Sequence, residues 1–146
     1  MATTPFTGIP WIATHPIAYP ALEVVHISGI ALLLGSLVVL ELRVWGHARE
    51  LPMLALARLS LAVSLTGFGL VLGSGLLMFA AQPAELLSNR AFVLKMALVA
   101  LAGLNAAAFH ARQGLQRCDA WARAQTALSL GIWLAAIICG RWIAYL

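Results

Sequence analysis

The chain has 146 residues, of which 62% are apolar and 10% charged, and its mean hydropathy is +0.94. A soluble domain of this size has too little polar surface to cover so apolar an interior, so a soluble fold is excluded and a membrane protein is expected. The net charge of +4 is explained by basic residues flanking membrane spans and gives no reason to expect a nucleic-acid partner.

The lead MATTPFTGIPWIATHPIAYP holds four prolines and no Lys or Arg. It has neither the basic nor the apolar region of a signal peptide, so the first span is expected to remain in the protein. Trp11 and Tyr19 suit a segment lying at the membrane interface. Four apolar runs follow, at about residues 22–45, 54–80, 91–111 and 121–145. Each reaches the roughly 20 residues that a helix needs to cross a hydrocarbon core. Punctuation agrees with these bounds: Pro20 precedes span one, Gly46 follows it, Pro52 precedes span two and Pro83 follows it, while Ser88 and Asn89 are candidate caps for span three. The fold expected is all-α, an integral membrane four-helix bundle forming one domain over residues 1–146, with short connections that make consecutive spans antiparallel neighbours.

Arg43, Arg49, Arg58, Arg112, Arg117 and Arg123 gather around the connections between spans one and two and between spans three and four, against Arg90, Lys95 and Arg141 on the other side. The positive-inside rule then predicts an N-out/C-out topology. Cys118 falls in a cytoplasmic connection and Cys139 near the opposite face of span four, so no disulfide joins them.

Small residues are frequent within the spans. Span two reads 67-GFGLVLGSG-75, placing Gly69 and Gly73 in GxxxG spacing, and Gly29, Gly35, Ser36, Gly103 and Gly131 lie in the others. Such residues let helices approach closely in lipid, or leave a flat groove beside a porphyrin or quinone ring. They imply a tight bundle, a homo-oligomer, or both.

At 1.5 Å per helical residue, Glu23, His26, Lys95 and Arg141 fall in one outer layer, with Met78, Met96 and Cys139 near it. Lys95 and Arg141 have stems long enough to snorkel to the headgroups; the short His26 ring does not. The inner side carries Glu41, Arg43, His47, Arg49, Asn105, His110 and Arg112. Glu41, beside Arg43 near the end of span one, is expected to pair with Arg58 or Arg112. His47 and His110 also suit a cytoplasmic interface, where helix C-termini favour them.

Buried His on membrane helices, with Lys or Arg for propionates and Gly for close approach, is the donor set of a b-type haem. His26 is the first ligand candidate, His110 the second and His47 the third, with Lys95 and Arg141 as cofactor-binding cations. His26 and His47 stand about 31 Å apart along a helix and do not serve the same iron. An outer haem would use His26 with Met78, Met96, Lys95, His15 or a second copy's His26; an inner one would use His47 with His110. Copper is the alternative, at His26 with Met78, Met96 and Cys139, whose ligand types suit it. No HExxH, GxSxG or Walker motif is present. A non-catalytic structural subunit is a third class.

The motif 26-HISGIALLLG-35, together with 90-RAFVLKMALVALAGLNAAAFH-110, resembles the membrane region of the copper-resistance protein D superfamily and its small bacterial four-helix relatives. The LRVWG end of span one, GSGLLMF in span two and the terminal GRWIAY fit those small relatives as well. The resemblance covers most of the chain after about residue 20. It implies a compact multi-pass protein of the bacterial cytoplasmic membrane, linked to copper handling or membrane haem, with His26, Lys95, Asn105 and His110 as functional candidates. The additional helices and Met-rich parts of the larger copper proteins are missing here. The function expected is electron transfer within or across the membrane by a b-type haem protein, an oligomer that would use a quinone or a redox partner protein.

Overall fold

A computed structural model describes residues 8–145. The helices are α1 (Pro10–Thr14), α2 (Ala18–Val44), α3 (Met53–Ala81), α4 (Pro83–Ser88), α5 (Arg90–Ala111), α6 (Gly114–Arg117) and α7 (Ala120–Trp142). No strand is present among the described residues. Four of the helices, α2, α3, α5 and α7, are long and apolar enough to cross a membrane, which makes the chain a multi-pass membrane protein by length and composition. Their outward faces carry Val24, Leu59, Leu65, Leu72, Leu104 and Leu128, all exposed, as helices facing hydrocarbon should.

α2 begins earlier than the sequence suggests. Pro20, expected to precede the first span, stands instead in its opening turn, where the missing N–H is one that no helix satisfies anyway. His15 supplies part of the cap: its Nδ1 accepts from the N–H groups of Ile17 and Ala18 at 3.3 and 3.2 Å. At the other end Gly46, at φ +98°, turns the chain out of α2. Pro83 opens the short α4 at its N-terminal position. Of the two cap candidates for α5, Asn89 is the one that acts. Its Oδ1 accepts from Ala91 and Phe92 N–H at 2.9 and 3.2 Å, while its Nδ2 donates to Ile143 O at 3.0 Å, tying the start of α5 to the end of α7.

The bundle is two antiparallel hairpins. α2 lies along α3 and α5 along α7, with a lighter seam between α2 and α7. The α2–α3 crossing is set by Gly29 and Gly67. A Cβ added to Gly67 would stand 2.6 Å from Leu33 N and 2.7 Å from Gly29 O, so only glycine permits the approach. Side-chain bonds flank it: Ser36 Oγ lies 2.7 Å from Ser64 Oγ on one side and His26 Nδ1 2.9 Å from Ser74 Oγ on the other. The GxxxG pair is turned elsewhere. Added Cβ atoms at Gly69 and Gly73 would meet nothing within 4 Å, nor would those at Gly35, Gly103 and Gly131.

The end carrying the α2–α3 and α5–α7 connections, here the connection end, is closed by Val44, Phe109 and Ala122, which are 1%, 8% and 0% exposed. Trp45 bridges the seam there by donating from Nε1 to Thr126 Oγ1 at 2.8 Å. Arg43 is spent within its own connection, donating to the carbonyls of Leu51 and Arg49.

Candidate functional site

Polar side chains gather at two depths. At the His26 end, Ser74 Oγ lies 2.6 Å from Leu70 O and directs its only proton there. With that proton on Leu70 O, Ser74 accepts from a His26 tautomer protonated at Nδ1, in which Nε2 carries the lone pair. Gly75 makes room for the ring: a Cβ there would sit 3.3 Å from His26 Cε1. The Lys95 ammonium on α5 is within electrostatic reach of this imidazole. Lys95 is partly buried rather than exposed, and its Nζ reaches Gly140 of α7, 3.4 Å from where a Cβ would stand. All four spans thus contribute to one layer.

Not every residue expected in that layer joins it. Arg141 is exposed and folds back along its own helix, donating to Tyr145 Oη at 2.8 Å and lying 5.2 Å over the Tyr145 ring. Cys139 borders an open groove of about 280 Å³ between α5 and α7, with Arg90, Leu94, Ile138 and Trp142. Met96 is 49% exposed, while Met78 is partly buried. Nδ1 of His15 is committed to its backbone cap. Among the described residues, no three His, Cys, Asp or Glu side chains converge as a metal-binding group.

The second depth lies at the connection end. Glu41, one of the last residues of α2, is 4% exposed and its Oε2 has no hydrogen-bond partner. The expected pairing with Arg58 or Arg112 is not formed. Arg112 instead donates to Gln125 Oε1 at 3.3 Å and pairs with Asp119 at 3.6 Å, and Arg58 is exposed. Glu41 borders a cavity of about 70 Å³ enclosed by α2, α5 and α7, whose polar lining is Asn105, His110, Gln125, Thr126 and Ser129. Asn105 Nδ2 donates to Gln125 O at 2.9 Å, leaving its carbonyl oxygen for the cavity. His110 is exposed on its other side and meets Phe109 edge-on at 5.7 Å. His47 is exposed beyond the end of α2.

His26 and His110 therefore belong to opposite ends of the bundle. The residue that sequence reasoning misread is Glu41. The signal was its place: an acidic side chain in the last turns of a helix faces the negative end of the helix dipole, and it stays there only with a cation or a proton.

Outside the spans, Asp119 caps α7 by accepting from Ala122 N–H at 2.7 Å. That bond, with the nearby Arg112 and Arg117, holds its carboxyl below the usual range.

Comparison with family models, curated proteins and solved structures finds no match to this chain.

Proposed function

We propose that this chain is an oligomeric protein of the bacterial cytoplasmic membrane, both ends outside, that binds b-type haem through His26 and carries electrons within or across the bilayer. The observation that supports the reading is the state of the His26 ring. Ser74 accepting from Nδ1–H leaves the Nε2 lone pair for a metal, the arrangement in which an outer hydrogen bond orients a ligating histidine. Lys95 adds a cation in the same layer for a propionate.

The donors fit the group; the enclosed space of one chain does not. Ligand pockets of ring size run to about 300–1,000 Å³. Neither the cavity of about 70 Å³ nor the groove of about 280 Å³ is lined by His26. The ring would therefore share a face with a second copy, which agrees with the unused glycines of α3. Bound haem would supply one-electron chemistry. Ser74 keeps the imidazole oriented, the apolar helix faces exclude water, and quinol in the same membrane is the electron donor that suits so apolar a molecule.

Optical spectroscopy tests the reading. Protein purified after haem-replete expression should show a Soret band that shifts on dithionite reduction and is lost in His26→Ala. A spectrum without that band, or a band unchanged in His26→Ala, refutes the assignment.

A further inference from the structure

We propose that Glu41 and the cavity it borders form a proton-binding site that exchanges with the connection end of the bundle through His110. The site is independent of any haem at His26.

Three observations carry it. First, the Glu41 carboxyl is 4% exposed, with Oε2 unpartnered. An ionised carboxylate placed there without a cation costs several kcal/mol in desolvation. Second, no cation answers it. At the connection end the charged and titratable groups are Arg43 on its own helix, the exposed His47, Arg49 and Glu50 in the α2–α3 connection, Arg58 on α3, His110 and Arg112 on α5, Arg117 on α6, Cys118 and Asp119 after it, and Arg123 on α7. Arg43 is held by connection carbonyls and Arg112 by Gln125 and Asp119. Arg58, Arg117 and Arg123 are exposed. His110 alone of these groups borders the cavity.

Third, the space suits water rather than a larger ligand. A cavity of about 70 Å³ exceeds the roughly 10–15 Å³ that one water needs, so it has room for more than one water. Glu41, Asn105 and Ser129 supply polar partners for them. Thr126 Oγ1 is already engaged, accepting from Trp45 and donating to Arg123 O. Such a group of oxygens, with one carboxyl and one imidazole, serves proton transfer better than coordination of a metal ion.

The transfer balances. An N–H bond of a His110 imidazolium breaks as its proton passes to a water, and that water gives one of its own protons to the Glu41 carboxylate. The products are neutral imidazole, neutral carboxylic acid and the same water. The reverse step returns the proton to the connection end.

Infrared spectroscopy of the full chain in lipid nanodiscs, with and without haem, tests this. At neutral pH the wild type should show the carbonyl band of an un-ionised carboxylic acid. Glu41→Gln should remove it, while Glu23→Gln and Glu85→Gln, at exposed positions, should leave it. Glu41→Asp, which keeps the acid, should retain the band at a shifted frequency. After transfer to deuterated buffer, the band should exchange about a hundredfold more slowly in His110→Phe, the lower end of the effect of losing a positioned acid or base. No band sensitive to Glu41→Gln, a band unmoved in Glu41→Asp, or wild-type exchange in His110→Phe overturns the proposal.

Discussion

Adding one methyl group to either of two glycines separated by a single residue should change stability in opposite directions. At Gly67 the new Cβ would stand 2.6 Å from Leu33 N, 2.7 Å from Gly29 O and 3.0 Å from Leu32 Cβ. Two of these are backbone atoms of the facing helix and cannot rotate away, so α2 and α3 must separate. Overpacking of this kind costs about 1–3 kcal/mol. Replacing a mid-helix glycine with alanine returns about 0.5–1 kcal/mol, so Gly67→Ala should lose up to about 2.5 kcal/mol net and, at the middle of both ranges, about 1 kcal/mol. The separation would also stretch the His26–Ser74 and Ser36–Ser64 bonds on either side of the crossing. At Gly69 a Cβ meets nothing within 4 Å, so only the propensity gain of about 0.5–1 kcal/mol remains. Unfolding of detergent-solubilised protein by increasing sodium dodecyl sulfate, followed by tryptophan fluorescence and far-UV circular dichroism, reads both. If Gly67→Ala unfolds with the wild type, or Gly69→Ala proves as damaging as Gly67→Ala, the assignment of the close crossing is wrong.

Ser74→Ala should destabilise by about 0.5–1.5 kcal/mol, the usual net worth of one hydrogen bond, because the partly buried His26 ring loses its bond to Ser74; in a haem-loaded sample it should also weaken the Soret band, and equal stability of the two proteins would count against the bond. Asn89→Ala removes the α5 cap and the tie to Ile143 O, which should cost about 1 kcal/mol for the cap alone, measured by the same denaturation. Asp119 carries the one pH prediction outside the spans. Its folded carboxyl is lowered chiefly by the Ala122 N–H, with Arg112 and Arg117 assisting, so its contribution is complete at neutral pH and is lost as pH falls through the lowered value. Asp119→Asn should therefore flatten the acid side of the stability profile, and an unaltered slope would refute the assignment. Cys118, in the α6–α7 connection, should react with a membrane-impermeant maleimide in inverted vesicles and not in intact cells; labelling of intact cells would reverse the topology.

The four spans were legible because hydropathy and length alone decide them, and the Asn89 cap was legible because its side chain bonds locally. The helix crossing was not. Gly67, Gly69 and Gly73 look alike in sequence, and which of them meets another backbone depends on the rotation of α3, which its apolar residues leave nearly undetermined: Leu59, Leu65 and Leu72 are exposed while Ser60, Ser64 and Ser74 are buried. In lipid, polarity rather than apolarity marks the inner face, so the serines carried the information that the leucines did not. The same inversion explains Glu41. A carboxylate near the end of a span reads as an interfacial charge with a basic neighbour, but the neighbouring Arg43 and Arg112 are drawn to connection carbonyls, Gln125 and Asp119. His26 and Lys95 lie within electrostatic reach of each other, as the rise per residue leads one to expect. Rise per residue leaves the direction of Arg141 open, and Tyr145 one turn later decides it by offering both a hydroxyl and a ring.

The light seam between the two hairpins has a mechanical consequence. Glu41 rides on α2 while the rest of its cavity belongs mostly to α5 and α7, and His26 rides on α2 while Lys95 rides on α5. One hairpin is fastened by a glycine crossing and the other by Asn89 and Asn105. A rotation of one pair against the other would alter both polar centres together, although they lie toward opposite ends of the bundle. The Trp45–Thr126 bond ties this seam together at the connection end, so a change there would reach both polar centres through the seam.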